Sequence, residues 1–192
     1  MHKAFLVVLL FAAGLTEVAA EPASTKTDVN FYTRLRMNYA RRKDFNPAWK
    51  IESEHLAAVA AYQAKNYKRA LKLSEQWLAK CPVDADMHGI SASAARMLGD
   101  QQKYKRHVSA MDGFVQSILH SGGGLTPKTA YKIISVDEEY FLVQRLGGEI
   151  LEQSLIDGTL DRLECKFADG ATKQLYFDAS IPINVMKAQM GR

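Results

Sequence analysis

Between residues 28 and 120, apolar residues recur every three or four positions, in segments separated by polar turns and prolines. Such spacing places the apolar side chains on one face of a helix. It predicts a leading helix that ends near residue 46, where Asn-Pro stops it. It also predicts two pairs of helices, 50–64 with 67–80 and 84–98 with 103–119. We therefore expect region 28–120 to be helical.

The two helix pairs resemble tetratricopeptide hairpins. Tyr67, Ala70, Trp77 and Pro82 fall close to the positions at which that repeat has an aromatic, a small, a packing and a terminating residue. The second pair departs from the pattern, because Tyr104 stands where the repeat has a small residue. The prediction is a tetratricopeptide-like stack with a degenerate second hairpin.

The pattern changes after the run Ser-Gly-Gly-Gly at 121–124, which interrupts a helix. Three later segments alternate apolar and polar residues, as strands with one buried face do. They are residues 150–156, 162–167 and 172–177. The Asp-Gly pairs at 157–158 and 169–170 predict tight hairpin turns between them. We expect an antiparallel meander.

Residues 130–136 predict one further strand, and a short helix should follow it. Ser135 with Glu138 three residues later predicts a capping box, and two glycines at 147–148 end the helix. The expected fold class is α+β: tetratricopeptide-like hairpins, then a small α+β domain over residues 125–192 with an antiparallel three- to four-stranded sheet.

The N-terminus has the order of a secretory signal peptide. A basic start precedes an apolar run at 4–15 and small residues at 18–20. That run is shorter than the roughly 20 residues that span a bilayer, and no later stretch is apolar enough to do so. We expect residues 1–20 to be removed, residues 21–27 to be a disordered linker, and the mature chain to be periplasmic or secreted without a transmembrane segment.

Composition narrows the functional classes only slightly. An apolar content of 47% and a charged content of 24% are globular values, and a net charge of +4 with export does not favour nucleic acid as a partner. Cys81 and Cys165 would meet an oxidising compartment and could pair. The alternation around Cys165 also fits a buried thiol, so both states remain open.

The polar cluster best suited to catalysis or ion binding is Asp137-Glu138-Glu139 followed by Tyr140. Paired carboxylates can perform acid–base catalysis or bind Ca²⁺. Acidic residues in a first helical turn also suit the helix dipole, and this structural role is the favoured interpretation. The alternating carboxylates of a calcium loop are missing from the sequence.

Glu52 and His55 have the spacing of two metal ligands on one helix face, yet di-iron bundles need a second copy, which the sequence lacks. We expect a solvent-exposed pair. The chain also has neither a P-loop nor the nucleophile elbow of esterases. We therefore predict no catalytic residues, metal ligands or cofactor. The candidate interaction surface is Arg34, Arg36, Arg41, Asp137, Glu139 and Tyr140.

Most of the chain after the signal resembles an exported bacterial family catalogued as domain of unknown function 4919. The residues that carry the likeness are Leu35, Arg36, Tyr39, Asp44, Phe45, Asn46, Pro47, Thr126, Pro127, Thr129, Ala130, Tyr131, Ile134, Ser135, Val136, Asp137, Glu138, Glu139, Tyr140, Leu175, Tyr176, Phe177 and Asp178. The resemblance implies a family and supplies no activity.

Two hypotheses of different classes follow. The first is a non-catalytic protein-interaction module that binds an envelope protein or peptide, since stacked helical hairpins form concave surfaces. The alternative is a small hydrolase-like enzyme or ligand-binding protein, with a site between the halves built from Asp137, Glu139 or Tyr140. A cleft with convergent carboxylates of shifted pKa would favour the enzyme.

Overall fold

The computed structural model describes residues 28–191, in which helices precede a four-stranded sheet. The α-helices are α1 Val29–Ala40, α2 Ser53–Gln63, α3 Tyr67–Lys80, α4 Ala85–Met97, α5 Gln101–Leu119, α6 Val136–Arg145 and α7 Ser180–Met190. The strands are β1 Tyr131–Lys132, β2 Gly148–Ile156, β3 Leu160–Phe167 and β4 Thr172–Asp178. This order confirms the α+β class, while the predicted signal peptide and linker lie outside the described residues.

The turn between α2 and α3 recurs between α4 and α5. Lys65 and Gly99 have positive φ angles of 56° and 76°, and the next residues, Asn66 and Asp100, cap the following helix with their side chains. The Asn66 and Asp100 amides donate to the carbonyls five residues earlier, at 3.0 and 2.9 Å. The two turns lie 34 positions apart, which is the tetratricopeptide period.

Helices α2 to α5 pack each against the next, and α1 packs against α5. Small residues allow the close approach, since Ala70, Ala94 and Ala95 are fully buried between helices. Gly113 in α5 lies under the ring of Tyr32, where a Cβ atom would come within 2.2 Å of the ring. None of the helices in the described range could cross a membrane, judged by length and apolarity.

The sheet has the order β1-β4-β3-β2 and is mixed. Strands β2, β3 and β4 form the predicted antiparallel meander, with Asp157 and Gly158 both at positive φ in the first turn. The expectation of a purely antiparallel sheet is wrong for β1, which pairs parallel with β4. The predicted strand at 130–136 is also shorter, because Ser135 already caps α6.

The helices and the sheet share one hydrophobic core. Phe114 and Ile118 of α5 belong to the same buried cluster as Ile133, Leu142 of α6 and Phe177 of β4. Helix α6 also contacts α4 and β2, so it lies between the helical stack and the sheet. The residues that we assigned to two regions therefore form one continuous interior.

Candidate functional site

Arg36 lies in the interior, where the helical part meets the α+β part. Its guanidinium donates two hydrogen bonds to the Glu138 carboxylate, at 2.8 and 2.6 Å, and others to the Lys132 carbonyl and the Ser117 hydroxyl. Both partners are buried, with 0% and 4% of the side chain exposed. The prediction of Arg36 as an interaction-surface residue is therefore wrong, because its charge is fully used inside the fold.

The same pair changes the predicted capping box. Ser135 caps α6, as expected, by accepting from the Asp137 amide at 3.1 Å. The Glu138 carboxylate instead faces Arg36 and accepts from the Ile134 amide at 2.9 Å. A buried partner from a distant helix therefore replaces the local bond that the sequence pattern indicated.

Asp137 and Glu139 point into different surroundings. Burial raises the pKa of Asp137 to about 6, beside Lys50 and Asp84 of the helical part. Glu139 lies against the sheet, where burial first, and then the charge and hydrogen bond of Asp161, raise its pKa to about 10. The carboxylates of the acidic triplet therefore do not converge on one site.

Tyr140 belongs to the same polar group as Glu139, on the side of α6 that faces the sheet. Its hydroxyl donates to the Gln153 side-chain oxygen, and the Gln153 amide donates to Asp161 at 3.1 Å and to Glu139 at 3.3 Å. Gln153 is exposed and covers both carboxyl groups from the edge strand. This group can hold a proton between two acids, but it is enclosed by its own neighbours.

A second polar group surrounds the start of α4. The Lys50 ammonium lies 3.2 Å from Asp86, and the buried Asp84 accepts from the Trp77 indole at 2.8 Å. Burial raises the pKa of Asp84 to about 7. His55 Nε2 is 3.5 Å from Asp84. Within residues 28–191 no set of three His, Cys, Asp or Glu side chains could hold a metal ion.

His55 does not form the exposed pair with Glu52 that we expected. Only 3% of His55 is exposed, and it packs edge-on against the Trp77 ring. Glu52 accepts instead from the Asn46 side chain at 2.6 Å. The helix turns His55 toward the core, because its face is shared with the buried Ala58.

Arg34 and Arg41 are exposed, on the same helix as the buried Arg36 or directly after it. The structure therefore divides the candidate interaction residues: Arg34 and Arg41 face solvent, Glu139 is buried, and Asp137 and Tyr140 are half-buried. They do not form one continuous surface.

A groove of about 560 Å³ lies along α3 and is bounded on its other side by Leu98, which follows α4, and by Lys103 in the first turn of α5. We call it the α3–α5 groove, and its lining residues are Lys68, Leu71, Lys72, Glu75, Gln76, Ala79, Leu98 and Lys103. The sequence pattern did not indicate this groove, because its walls come from α3 and from the later turn between α4 and α5. The available signal was Lys68 and Lys72 one turn apart on α3, beside Leu71.

Glu75 is the one acidic residue of the groove lining. Its carboxylate accepts from Lys103 Nζ at 2.7 Å and from Arg106 at 2.6 Å. Burial acts to raise the pKa of Glu75, but the bonds and charges of Lys103, His107 and Arg106 outweigh it and hold the pKa below its ordinary value. The charges of Lys103 and Arg106 are therefore already paired with a carboxylate of the chain itself.

A smaller cavity of about 320 Å³ lies farther along α5, beside Ala110 and Phe114, and includes Phe31, Tyr32 and His88. His88 and His107 are joined there through their Nδ1 atoms, 3.0 Å apart. Burial lowers the pKa of His88 to about 4, so the pair is neutral at physiological pH. Neutral, mutually bonded histidines fit a structural contact between helices α4 and α5.

Comparison with known proteins gives one match. A family model described as "Domain of unknown function (DUF4919)" covers residues 21–187. No curated protein matches the chain significantly, and no solved structure does so either.

Proposed function

This chain belongs to the family of domain of unknown function 4919, whose description assigns no activity, and we therefore propose a function from the chemistry of its surface. We propose an exported, non-catalytic protein-interaction module of the periplasm or cell envelope. The observation that supports it is the α3–α5 groove.

The groove has the properties of a site for a protein segment. Leu98, 46% exposed, and Ala79 give it apolar surface, while Lys68 and Lys72 stand exposed on α3. Segment-binding proteins commonly combine an apolar groove that anchors a side chain with polar groups that fix orientation. Helix α3 forms one wall, and the turn from α4 to α5 is tied to it by the Glu75 ion pairs, so the surface is formed before a partner arrives.

The arrangement of the acidic groups favours binding over catalysis. Asp137 and Glu139 have raised pKa values, as acid catalysts often do. Neither lines the α3–α5 groove or the smaller cavity beside α5. A catalytic acid must reach its substrate within hydrogen-bond distance, and Glu139 is buried under Gln153.

The test is photo-crosslinking in living cells. A photoreactive amino acid replaces Gln76, an exposed residue of the groove lining, and in a matched control it replaces Gln174, an exposed residue of β4. We expect a discrete crosslinked product from position 76 and none from position 174. Equal products from both positions, or none from position 76, would contradict the proposed role.

The same cells test the export hypothesis. We expect osmotic shock to release the protein, and its intact mass should correspond to a chain that begins near Glu21. A cytoplasmic protein with an intact N-terminus would contradict that hypothesis and leave the groove experiment independent of it.

A further inference from the structure

We propose that the α3–α5 groove binds an acidic protein segment that carries an apolar side chain between its acidic residues. This inference rests on the proposed interaction role and names the chemistry of the partner. Its first support is the charge of the groove: Lys68, Lys72 and Lys103 line it with Glu75 as their one acidic neighbour in the lining.

The basic side chains at the groove differ in whether an acidic residue of the chain already binds them. Lys103 and Arg106 are both bound to Glu75, whereas Lys68 and Lys72 are exposed and form no ion pair with any residue in the described range. After the internal pairs are counted, the α3 wall keeps two positive charges without a counter-ion. An acidic partner would neutralise them, while a basic partner would be repelled.

The spacing of the free lysines suits a polypeptide. Lys68 and Lys72 lie on one face of α3, about 6 Å apart along the helix axis. Alternate side chains of an extended segment are separated by about 6.6 Å, and residues i and i+4 of a helix by about 6 Å. Two carboxylates with either spacing can therefore face both ammonium groups together.

Glu75 shows how a carboxylate is held beside these lysines. It lies three positions after Lys72 on the same helix and is bound by two cations at 2.6–2.7 Å. A partner carboxylate at Lys72 would continue the same row of charge contacts. The apolar part of the partner would cover Leu98, whose side chain is left open beside Ala79.

An anionic membrane is the competing source of negative charge. A bilayer would meet the lysine ammonium groups with a flat layer of headgroups, which does not place acidic groups on both sides of one apolar side chain. Free cations beside the exposed Leu98 and Ala79 therefore favour a protein segment.

The test uses three probes with the mature protein labelled with ¹⁵N. The first probe is a soluble twelve-residue peptide with four glutamates and two leucines, and the second has glutamine in place of each glutamate. The third is a vesicle of phosphatidylglycerol. We expect the acidic peptide alone to shift the amide signals of Lys68–Gln76 and Lys103, with an affinity that weakens as salt increases.

Charge reversal gives the matched comparison. In the double variant Lys68→Glu/Lys72→Glu we expect at least a tenfold loss of affinity, because both free cations become repulsive. The control Lys128→Glu/Lys166→Glu makes the same change at exposed sites outside the groove and should alter affinity less than twofold. Leu98→Ala should weaken binding with little change in its salt dependence.

Three results would overturn the proposal: equal binding of the glutamine peptide, equal losses in the groove and control variants, or binding of vesicles without peptide. The crosslinking at Gln76 separates this failure from that of the proposed function. If position 76 still gives a discrete product while the acidic peptide fails, the interaction role stands and the acidic chemistry is wrong. If both fail, both proposals fall.

Discussion

Removing the guanidinium of Arg36 should destabilise the whole fold. In Arg36→Met the Glu138 carboxylate would stay buried, 4% exposed, and keep only the Ile134 amide as a hydrogen-bond donor. The Lys132 carbonyl and the Ser117 hydroxyl would each lose a donor as well. Breaking a buried ion pair from one side costs about 3–5 kcal/mol.

That loss is large against the whole stability of a domain of this size, which is about 5–15 kcal/mol. For a domain of 150–250 residues each kcal/mol shifts Tm by about 2–4 °C, so Tm should fall by about 6–20 °C. The assay is urea unfolding followed by circular dichroism, with a thermal melt in the same buffer. The exposed pair of Arg42 with Asp44 gives the control, since Arg42→Met should leave the midpoint nearly unchanged.

The double variant Arg36→Met/Glu138→Leu tests the reason for the loss. Replacing both partners by apolar residues removes the unpaired buried charge, so much of the stability lost in Arg36→Met should return. A single variant that loses less than about 1 kcal/mol, or a double variant no more stable than the single one, would refute the reasoning.

Three further predictions follow from local features. Glu139→Gln should stabilise the protein increasingly as pH rises from 5 to 8, by about 1 kcal/mol or more at pH 8. The neutral form of Glu139 contributes stability that is fully present below pH 4.5 and is lost as pH rises toward its folded-state pKa of about 10. Glutamine does not titrate, and it can still donate a hydrogen bond to Asp161. Urea unfolding at the two pH values measures this, and a pH-independent difference would contradict it. Lys65→Gly should stabilise by up to about 1 kcal/mol, because φ is 56° at that turn, and a lower unfolding midpoint would count against the turn assignment. Cys81 and Cys165 are free and buried, so a thiol reagent should react with neither in the folded protein and with both in urea, whereas a disulfide would leave no reactive thiol even in urea.

Local signals predicted most of the helices and the three-stranded meander. Three of the four hairpin helices, α3, α4 and α5, follow the caps Asn66, Asp84 and Asp100, whose side chains each accept from a backbone amide of the first turn. The first β-hairpin turn follows from the Asp-Gly pair at 157–158, since both residues adopt positive φ. These features depend on neighbours in the chain and can therefore be read from short windows.

The features that sequence reasoning missed depend on residues far apart. Arg36 is separated from Glu138 by 102 positions, and charge alone indicated a surface position for it. The parallel pairing of Tyr131 with Phe177 leaves no periodic signal in so short a strand. Likewise, the groove exists only because packing on α4 and the ion pairs of Glu75 bring the start of α5 close to α3, which no single helix pattern can specify.

The shared core has a consequence for a chain that is delivered from its N-terminus, by the ribosome or through a membrane channel. The interior includes Leu175, Phe177 and Ala179, which come after helices α1 to α6 in the chain and before α7. Until they emerge, Ile118 and Ile133 have no complete surroundings, and the helical stack has an open apolar side. The protein should therefore acquire its protease resistance late and in one step, and not hairpin by hairpin as an open array of repeats can.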